Sequence, residues 1–533
     1  MYFKNSPLSQ VSILDLSLIL FLIILVKILF FFTGFILEDS FIVFRSAFHL
    51  ADYGIFSYNL DEINSGTTSK IFGLICAFFK FVFKDYAILS IIFFNSIISF
   101  LSSLLILLSL KNLFGTQIIT TRENLYFLVI FIFLNPSISL IGIVGLEFSI
   151  MVFFISLVLL GVSNDYKLLL LSSMFIPLIR IEMIGFILIL SFSYLYFLNF
   201  KNSFIVLTSG LFGVFFNGYL NKQYDGTFFP GPAVSKWNTL SNEGAFTFER
   251  IINDINFWFF SDERSFFLGV YSKFIPKAVY ISFALIILSI ALYYFRFLFF
   301  NKYKEIKNNN KIYLLTISSS IILLPLSYVV GGHVWEWYLY PYSFLSYVLL
   351  AIYLINLKKI NHYKIILMSM IAFITLFQFA ILKNIGFQEN SYRSVVGKDI
   401  YSMSEDKKND TLFLEPSGYI PYYAKIKTYD TVGLSSPEIH KYRKMYKNKR
   451  WWLDFIEDKK PTFIIDRSDV YGGYSHDGEY TLNASELEWF KQNYIKVREY
   501  NYHKYVEKYS GSFEGFYKLG NHAPYFLYKE IKK

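Results

Sequence analysis

The 533-residue sequence has only one cysteine and few charged residues. Cys76 lies in an apolar run, so neither a disulfide framework nor a zinc site built from several cysteines can form. Asp, Glu, Lys and Arg together make up 17% of the residues, whereas 54% are hydrophobic. This composition, with a mean hydropathy of +0.42, is typical of an integral membrane protein and excludes an ordinary soluble one.

Acidic residues are fewer than basic ones, 40 against 50, which gives a formal charge of +10. A basic excess can indicate nucleic-acid binding. Here, however, many of the lysines lie in short loops between apolar runs, a distribution that indicates membrane topology. We therefore expect a lipid bilayer as partner and no nucleic acid.

The apolar runs predict about eleven membrane spans. The first, residues 12–36, has no small-residue cleavage site and is expected to be retained. The others fall near residues 86–110, 125–143, 146–162, 167–179, 181–199, 203–220, 278–300, 312–330, 338–357 and 364–383. The apolar stretch 70–84 is short and contains three lysines, so we predict an interfacial or re-entrant helix there. With a cytoplasmic N-terminus, nearly every short basic loop then lies in the cytoplasm.

From about residue 385 the charges become dense and the apolar runs shorten. The sequence predicts a membrane region, 1–384, with outer loops at 37–85 and 221–277, followed by an extracytoplasmic soluble α/β domain, 385–533. The predicted strands are Thr411–Leu414, Thr462–Ile465 and Tyr525–Tyr528, and the predicted helices are Ser435–Glu457 and Asn483–Asn493. The expected location is the inner or plasma membrane of the cell.

Two adjacent carboxylates, Glu38 and Asp39, follow the first apolar run and should emerge at the outer membrane surface. A base in this place could deprotonate an acceptor while a lipid-borne donor stays in the membrane. The alternative is a solvated pair of loop charges. The following stretch, Ser40–Tyr53, has the spacing of an interfacial helix and contains Arg45.

Several short motifs resemble GT-C glycosyltransferases, in particular the branch of bacterial membrane arabinofuranosyltransferase-like proteins. They are spread over most of the chain in the family's order: Glu38–Arg45, Ser65-Gly66-Thr67-Thr68-Ser69, Gly145-Leu146-Glu147-Phe148, Ile179-Arg180-Ile181-Glu182, Tyr224-Asp225-Gly226 with Pro230 and Ser235-Lys236-Trp237, and Gly418 to Leu434. The chain departs from the family pattern at Glu38, Thr67, Phe148 and Ile181, which leaves the sugar and the acceptor open.

The resemblance implies an inverting enzyme that moves one sugar from a polyprenyl-phosphate donor to a glycan, glycolipid or protein acceptor outside the membrane. Glu38 or Asp39 would be the catalytic base, and Arg45, Arg180 and Lys236 would be candidates to bind the leaving phosphate. An interfacial anchor is the alternative for Arg45.

Glu147 and Glu182 lie at span junctions, where charges are often functional, but Arg180 could equally form structural pairs with them. His333 and Trp335 lie in an aromatic segment that could stack on sugar rings or form a membrane-interface belt.

No zinc site is expected, because His333 has no ligand partners at metal spacing. A divalent cation held by Glu38, Asp39 and Glu147 remains an option. The alternative function is a transporter or flippase for a lipid-linked substrate, and an inactive scaffold is a third possibility. A transporter would favour internal repeats and polar residues in mid-bilayer, whereas the polar motifs here are predicted at one membrane face.

Overall fold

The structure is a computed structural model of the chain. It describes residues 13–114, 127–128, 131–162, 166–242, 249, 252, 264–265, 270–271, 277–300, 307–331, 338, 340–356, 361–445, 450–475, 478–519 and 522–531. Most of the described residues are helical. The chain forms two compact units, which we call the helical unit (Met1–Phe32, Leu89–Tyr219 and Ala245–Ile381) and the mixed unit (Thr33–Ile88, Leu220–Gly244 and Leu382–Lys533).

The helices are numbered in chain order. They are α1 (Ile13–Phe31), α2 (Glu38–Tyr53), α3 (Lys70–Phe83), α4 (Ala87–Phe114), α5 (Pro136–Ile141), α6 (Phe148–Gly161), α7 (Tyr166–Ile179), α8 (Ile184–Tyr196), α9 (Phe200–Asp225), α10 (Gly231–Asn242), α11 (Lys277–Phe300), α12 (Asn308–Gly331), α13 (Tyr340–Asn356), α14 (Asn361–Gly386), α15 (Ser394–Met403), α16 (Tyr419–Ala424), α17 (Ile439–Met445), α18 (Trp451–Lys459), α19 (Ala484–Asn493), α20 (Tyr502–Tyr509) and α21 (Glu514–Tyr517).

Among the described residues, four helical stretches are long and apolar enough to cross a membrane. They are Lys70–Phe114, Phe200–Asp225, Ile281–Leu298 and Ile365–Met403. Four shorter apolar helices accompany them: Phe148–Gly161, Tyr166–Ile179, Ile181–Tyr196 and Tyr340–Ile355. The chain is thus mostly helical with several helices of membrane-spanning character, while the count of eleven spans stays a prediction.

The predicted short helix at 70–84 is confirmed as α3. Ser69 caps its start by accepting a hydrogen bond from the Phe72 backbone N–H, and a single 3₁₀ turn, Lys84–Tyr86, connects it to α4. Its position at the membrane surface stays a prediction. In the helical unit, the Lys27 ammonium of α1 donates to Ser99 Oγ at 3.1 Å and to the Ile138 carbonyl at 3.0 Å. These bonds satisfy a charge that lies inside an apolar helix.

The mixed unit contains a five-stranded sheet. Its strands are β3 (Thr411–Leu414), β4 (Lys427–Asp430), β5 (Phe463–Asp466), β8 (Tyr494–Tyr500) and β9 (Tyr525–Glu530), in the spatial order β4-β3-β5-β9-β8. Strands β3, β4 and β5 are parallel, and β9 pairs antiparallel with both β5 and β8. A two-stranded ladder of β6 (Tyr474–Ser475) with β7 (Tyr480–Thr481) lies in the same unit, and one of β1 (Arg264–Ser265) with β2 (Val270–Tyr271) lies in the helical unit.

Alternate residues of the central strands enter two separate apolar cores. Leu412, Leu414 and Ile465 pack on one face with residues of α15, α16 and α20. Phe413 and Ile464 pack on the other face with residues of α17, α18 and α19. This alternation follows from the period of two in an extended strand, so helices cover both faces of the sheet.

The predicted strands are confirmed at β3, β5 and β9, with shifted ends at β5 and β9. The single helix predicted over Ser435–Glu457 instead contains two described helices, α17 and α18. Strands β4 and β8 were not predicted. The sequence-based boundary near residue 384 lies beside Leu382, where the mixed unit resumes. The structure differs from the predicted domain division because Thr33–Ile88 and Leu220–Gly244 join the C-terminal region in one unit.

Candidate functional site

The predicted site residues fall into three groups. Glu38, Asp39, Arg45 and Lys236 lie in the mixed unit, whereas Glu147, Arg180 and Glu182 lie in the helical unit. His333 and Trp335 lie outside the described residues.

Glu38 and Asp39 occupy the first turn of α2, where the positive end of the helix dipole stabilises acidic side chains. Glu38 is held by three donors. Its Oε1 accepts from the backbone N–H groups of Gly418 at 2.7 Å and Tyr419 at 3.0 Å, and its Oε2 accepts from Arg393 Nη1 at 2.6 Å. Both carboxylate oxygens are therefore engaged by the C-terminal region.

The contact between Glu38 and the turn before α16 requires a glycine at position 418. A Cβ atom there would clash with the Glu38 backbone carbonyl oxygen and would lie 2.6 Å from its Oε1. Beside this contact, the Tyr419 ring lies 3.8 Å from the Phe41 ring, centroid to centroid, and its hydroxyl donates to the Ile36 carbonyl at 2.9 Å. The start of α2 is thus fixed by polar and aromatic contacts together.

Arg393 connects Glu38 to a half-buried imidazole. Its Nη2 lies 3.3 Å from His522 Nε2, while His522 Nδ1 lies 2.7 Å from the Ala523 carbonyl. The carbonyl requires the proton on Nδ1, so Nε2 is the acceptor. Burial, with a further contribution from the Arg393 charge, lowers the pKa of His522 to about 4.

Arg45 is buried and binds four oxygen atoms. Its Nε donates to the Tyr58 carbonyl at 2.8 Å, Nη1 to the Pro421 carbonyl at 2.6 Å, and Nη2 to the Ile426 carbonyl at 2.8 Å and Asn59 Oδ1 at 3.3 Å. The guanidinium therefore holds the loop after α2 to the middle of α16 and to the chain just past its end. This geometry favours a positioning role over the phosphate contact expected from the sequence.

The Ser65–Ser69 turn is fastened by a buried ion pair between Lys70 and Asp225. The Lys70 ammonium lies 2.6 Å from Asp225 Oδ2, and both side chains are 1% exposed. Asp225 also accepts from the Ser65 N–H at 2.9 Å, the Ser65 hydroxyl at 2.7 Å and the Gly231 N–H at 2.8 Å. Gly66 has a φ of +62°, which favours glycine at the centre of this turn.

The motif around Ser235 also contacts the C-terminal region. The Ser235 hydroxyl donates to the Gly433 carbonyl at 2.6 Å, and Lys236, the next residue of α10, has a partly buried side chain. Asp430, at the end of β4, accepts from the N–H groups of Val432, Leu434 and Ser435. Burial raises the pKa of Asp430 although these hydrogen bonds oppose the shift.

In the helical unit, Arg180 joins the two predicted glutamates. Its Nη1 lies 2.8 Å from Glu147 Oε1, and its Nε lies 2.6 Å from Glu182 Oε1. Its guanidinium carbon lies 4.5 Å from the centre of the Tyr338 ring. Glu147 and Arg180 are buried, whereas Glu182 is about one third exposed. The structure thus contains the pairing that the sequence offered as an alternative to substrate contact.

No group of three or more His, Cys, Asp or Glu side chains suited to a metal ion occurs among the described residues. The sequence reasoning did not single out Lys70, Arg393 or His522. The sequence did contain a signal for Lys70, because a lysine directly before an apolar run needs a partner for its charge. Arg393 and His522 carry no motif, because their partners are remote in the sequence.

Comparison with known families adds one finding. A family profile described as a domain of unknown function (DUF8728) matches residues 383–519, which is nearly all of the C-terminal part of the mixed unit. No curated protein matches the chain.

Proposed function

We propose that the protein is a membrane-bound inverting glycosyltransferase of the GT-C type that uses a polyprenyl-phosphate sugar as donor. One observation carries the proposal. Four of the motif segments, Glu38–Arg45, Ser65–Ser69, Asp225–Lys236 and Gly418–Leu434, are bonded to one another within the mixed unit. Segments up to about 380 residues apart in the sequence thus share one structural site.

Asp39 is our candidate for the base. Both Glu38 oxygens are bound by Arg393 and the turn before α16, which favours a positioning role for Glu38 over proton transfer. Asp39 follows Glu38 in the same first turn and has a partly exposed side chain. In this proposal Glu38 and Arg393 orient the start of α2, and Asp39 takes the proton from the acceptor as the hydroxyl attacks the sugar.

Lys236 is the stronger candidate to bind the leaving phosphate. Arg45 and Arg180 are only 6% and 4% exposed, whereas the Lys236 side chain is partly buried and offers more surface to a phosphate. An ammonium group binds phosphate as a point charge and needs no planar partner.

The test is sugar transfer by purified variants supplied with a synthetic polyprenyl-phosphate sugar. Asp39→Asn should reduce turnover by about 10²–10⁴-fold, because the amide keeps the shape but cannot accept the proton. Glu38→Gln should reduce turnover less and should lower the melting temperature. Asp52→Asn, which alters an exposed carboxylate at the other end of α2, is the matched control and should behave as the parent.

Transfer at the parent rate by Asp39→Asn would overturn its assignment as the base, and Glu147 and Glu182 would then be the next residues to test. If the parent moves a lipid-linked sugar across the bilayer without transferring it to any acceptor, the transporter or flippase function replaces the enzyme.

A further inference from the structure

A short segment of the C-terminal region exposes large apolar side chains. Phe513 and Leu519, on either side of α21, are 67% and 65% exposed, and Tyr509 at the end of α20 is 53% exposed. Phe516, between them, is partly buried against the apolar core of the sheet. We call Tyr509, Phe513 and Leu519 the apolar patch. Large exposed apolar side chains this close together in the sequence often mark a contact surface.

A hydrogen bond places the patch beside the end of an apolar helix. The Asn384 side-chain amide, in the last turn of α14, donates to the Phe516 carbonyl at 2.7 Å. The uncharged run that precedes it, Ile365–Leu382, rises about 27 Å as a helix, close to the thickness of a bilayer hydrocarbon core. If this run spans the membrane, Lys383 and Asn384 lie at the membrane–water boundary, and Phe513 and Leu519 lie near the same depth.

The charges around the patch are suited to lipid headgroups. Lys518 is paired with Glu507 at 3.0 Å and with Glu514 at 2.7 Å, so its charge is offset. Lys504 and Lys508, one turn apart on the exposed side of α20, have no carboxylate within ion-pair distance in the described part of the chain. The patch is therefore bordered by two cations that could bind anionic phosphates.

We propose that the apolar patch rests in the interfacial layer of the bilayer, with Phe513 and Leu519 among the headgroups and Lys504 and Lys508 towards anionic lipid phosphates. This contact anchors the sheet at a fixed height above the membrane surface. The proposal depends on α14 spanning the membrane and not on sugar transfer, so it can fail or hold separately from the proposed function.

The test uses the low cysteine content of the chain. Nitroxide labels are attached at Phe513→Cys and Leu519→Cys in a Cys76→Ala background, and the protein is placed in nanodiscs that contain anionic lipid. The collision rate of each label is then measured with oxygen and with a water-soluble nickel chelate. Because Cys76 is fully buried, the parent background serves if Cys76→Ala does not fold. Both labels should collide more often with oxygen than with the nickel chelate, as expected for the interfacial layer.

Two positions calibrate the measurement. Tyr474→Cys, on a strand of the opposite side of the sheet and 54% exposed, should favour nickel. Phe373→Cys, in the middle of α14 and 69% exposed, should favour oxygen most strongly. A nickel-accessible label at Phe373 would overturn the spanning helix on which the proposal depends.

Labels at Phe513 and Leu519 that behave like the label at Tyr474 would overturn the membrane contact, and so would labels shielded from both reagents, which would indicate a protein partner. The double change Lys504→Glu with Lys508→Glu should increase nickel collision at Phe513 about twofold or more. No change would overturn the role of the two lysines.

Discussion

Several single residues of the mixed unit hold together segments that are remote in the sequence, and Arg45 is the clearest case. Arg45→Met removes the donors of three buried carbonyl groups and should lower the free energy of unfolding by about 3 kcal/mol. Arg45→Lys should recover only part of the lost free energy of unfolding, because one ammonium group cannot reach all the acceptors that the planar guanidinium reaches. Thermal unfolding, followed by the reactivity of the buried Cys76 thiol, measures the loss.

Lys84→Met, at an exposed cation that follows α3, is the matched control for Arg45 and should melt like the parent. Parent-like melting of Arg45→Met, combined with weakened donor binding, would contradict the fastening role and restore the phosphate role expected from the sequence.

His522 should make the protein less stable in acid. Its pKa is lowered to about 4 in the folded state, against 6.5 when unfolded, so the unfolded chain binds the proton first as the pH falls. The neutral imidazole contributes on the order of 2–3 kcal/mol to the free energy of unfolding. This contribution is complete above pH 6.5 and is lost as the pH falls towards 4. Burial and the Arg45 charge likewise lower the pKa of His49 to about 4, which adds to the same trend.

The measurement for His522 is the melting temperature between pH 7 and pH 4.5. The curve of His522→Gln should be flatter than that of the parent, while His503→Gln, at an exposed imidazole on α20, should follow the parent. Parallel curves for His522→Gln and the parent would show that protonation of this imidazole is not coupled to unfolding.

At the residue scale, the sequence could locate the acidic pair but not its partners. The end of an apolar run and the helical spacing from Ser40 onward placed Glu38 and Asp39 directly before a helix, and the structure has them in its first turn. Their position at the membrane surface stays a prediction. The donors that bind Glu38 come from Arg393, Gly418 and Tyr419, at least 355 residues away, and no local pattern encodes such a pairing. The different environments of two neighbouring carboxylates became visible only in three dimensions.

At the element scale, the Lys70–Asp225 pair joins the start of α3 to the end of α9. Asp225→Leu or Lys70→Met leaves a buried charge without its counter-charge and should cost about 3–5 kcal/mol of stability. Replacing both residues, Lys70→Met with Asp225→Leu, should cost less than the sum of the single changes, because no isolated charge remains. Thermal melting of the four proteins gives the coupling energy.

Lys222→Gln, at an exposed cation one turn earlier on α9, is the control for this cycle. Strictly additive effects of the two changes would mean that the ion pair does not fasten these elements.

Strand prediction succeeded at the three central strands, which read as apolar runs, and failed at the two edge strands. Strand β5, Phe463–Asp466, is buried at every position and reads as a short apolar run. The edge strands β4 and β8 contain Lys427, Lys496 and Arg498, whose side chains lie partly or largely in solvent. Edge strands tolerate such residues, so their composition resembles that of loops.

For the whole molecule, the main prediction is topology: the N-terminus in the cytoplasm and the C-terminal region outside. The reason is the placement of the short basic loops. Reporter fusions after residue 384 should be active only in the extracytoplasmic compartment, and fusions in the connection between α6 and α7, just before Lys167, should report the cytoplasm. A cytoplasmic signal after residue 384 would refute both the span count and the exclusion of 70–84 from the spans.

The bonds between Glu38 and Arg393 also determine when the protein can finish folding during its synthesis. These partners are 355 residues apart, and ribosomes add about 5–20 residues per second. The loop that follows α1 must therefore wait roughly 20–70 s before its partners leave the ribosome. A nascent chain that stalls early would display Arg45, Lys70 and the apolar face of α2 without the carbonyls, the Asp225 carboxylate and the rings that cover them. We expect such stalled chains to be preferred substrates of membrane proteases.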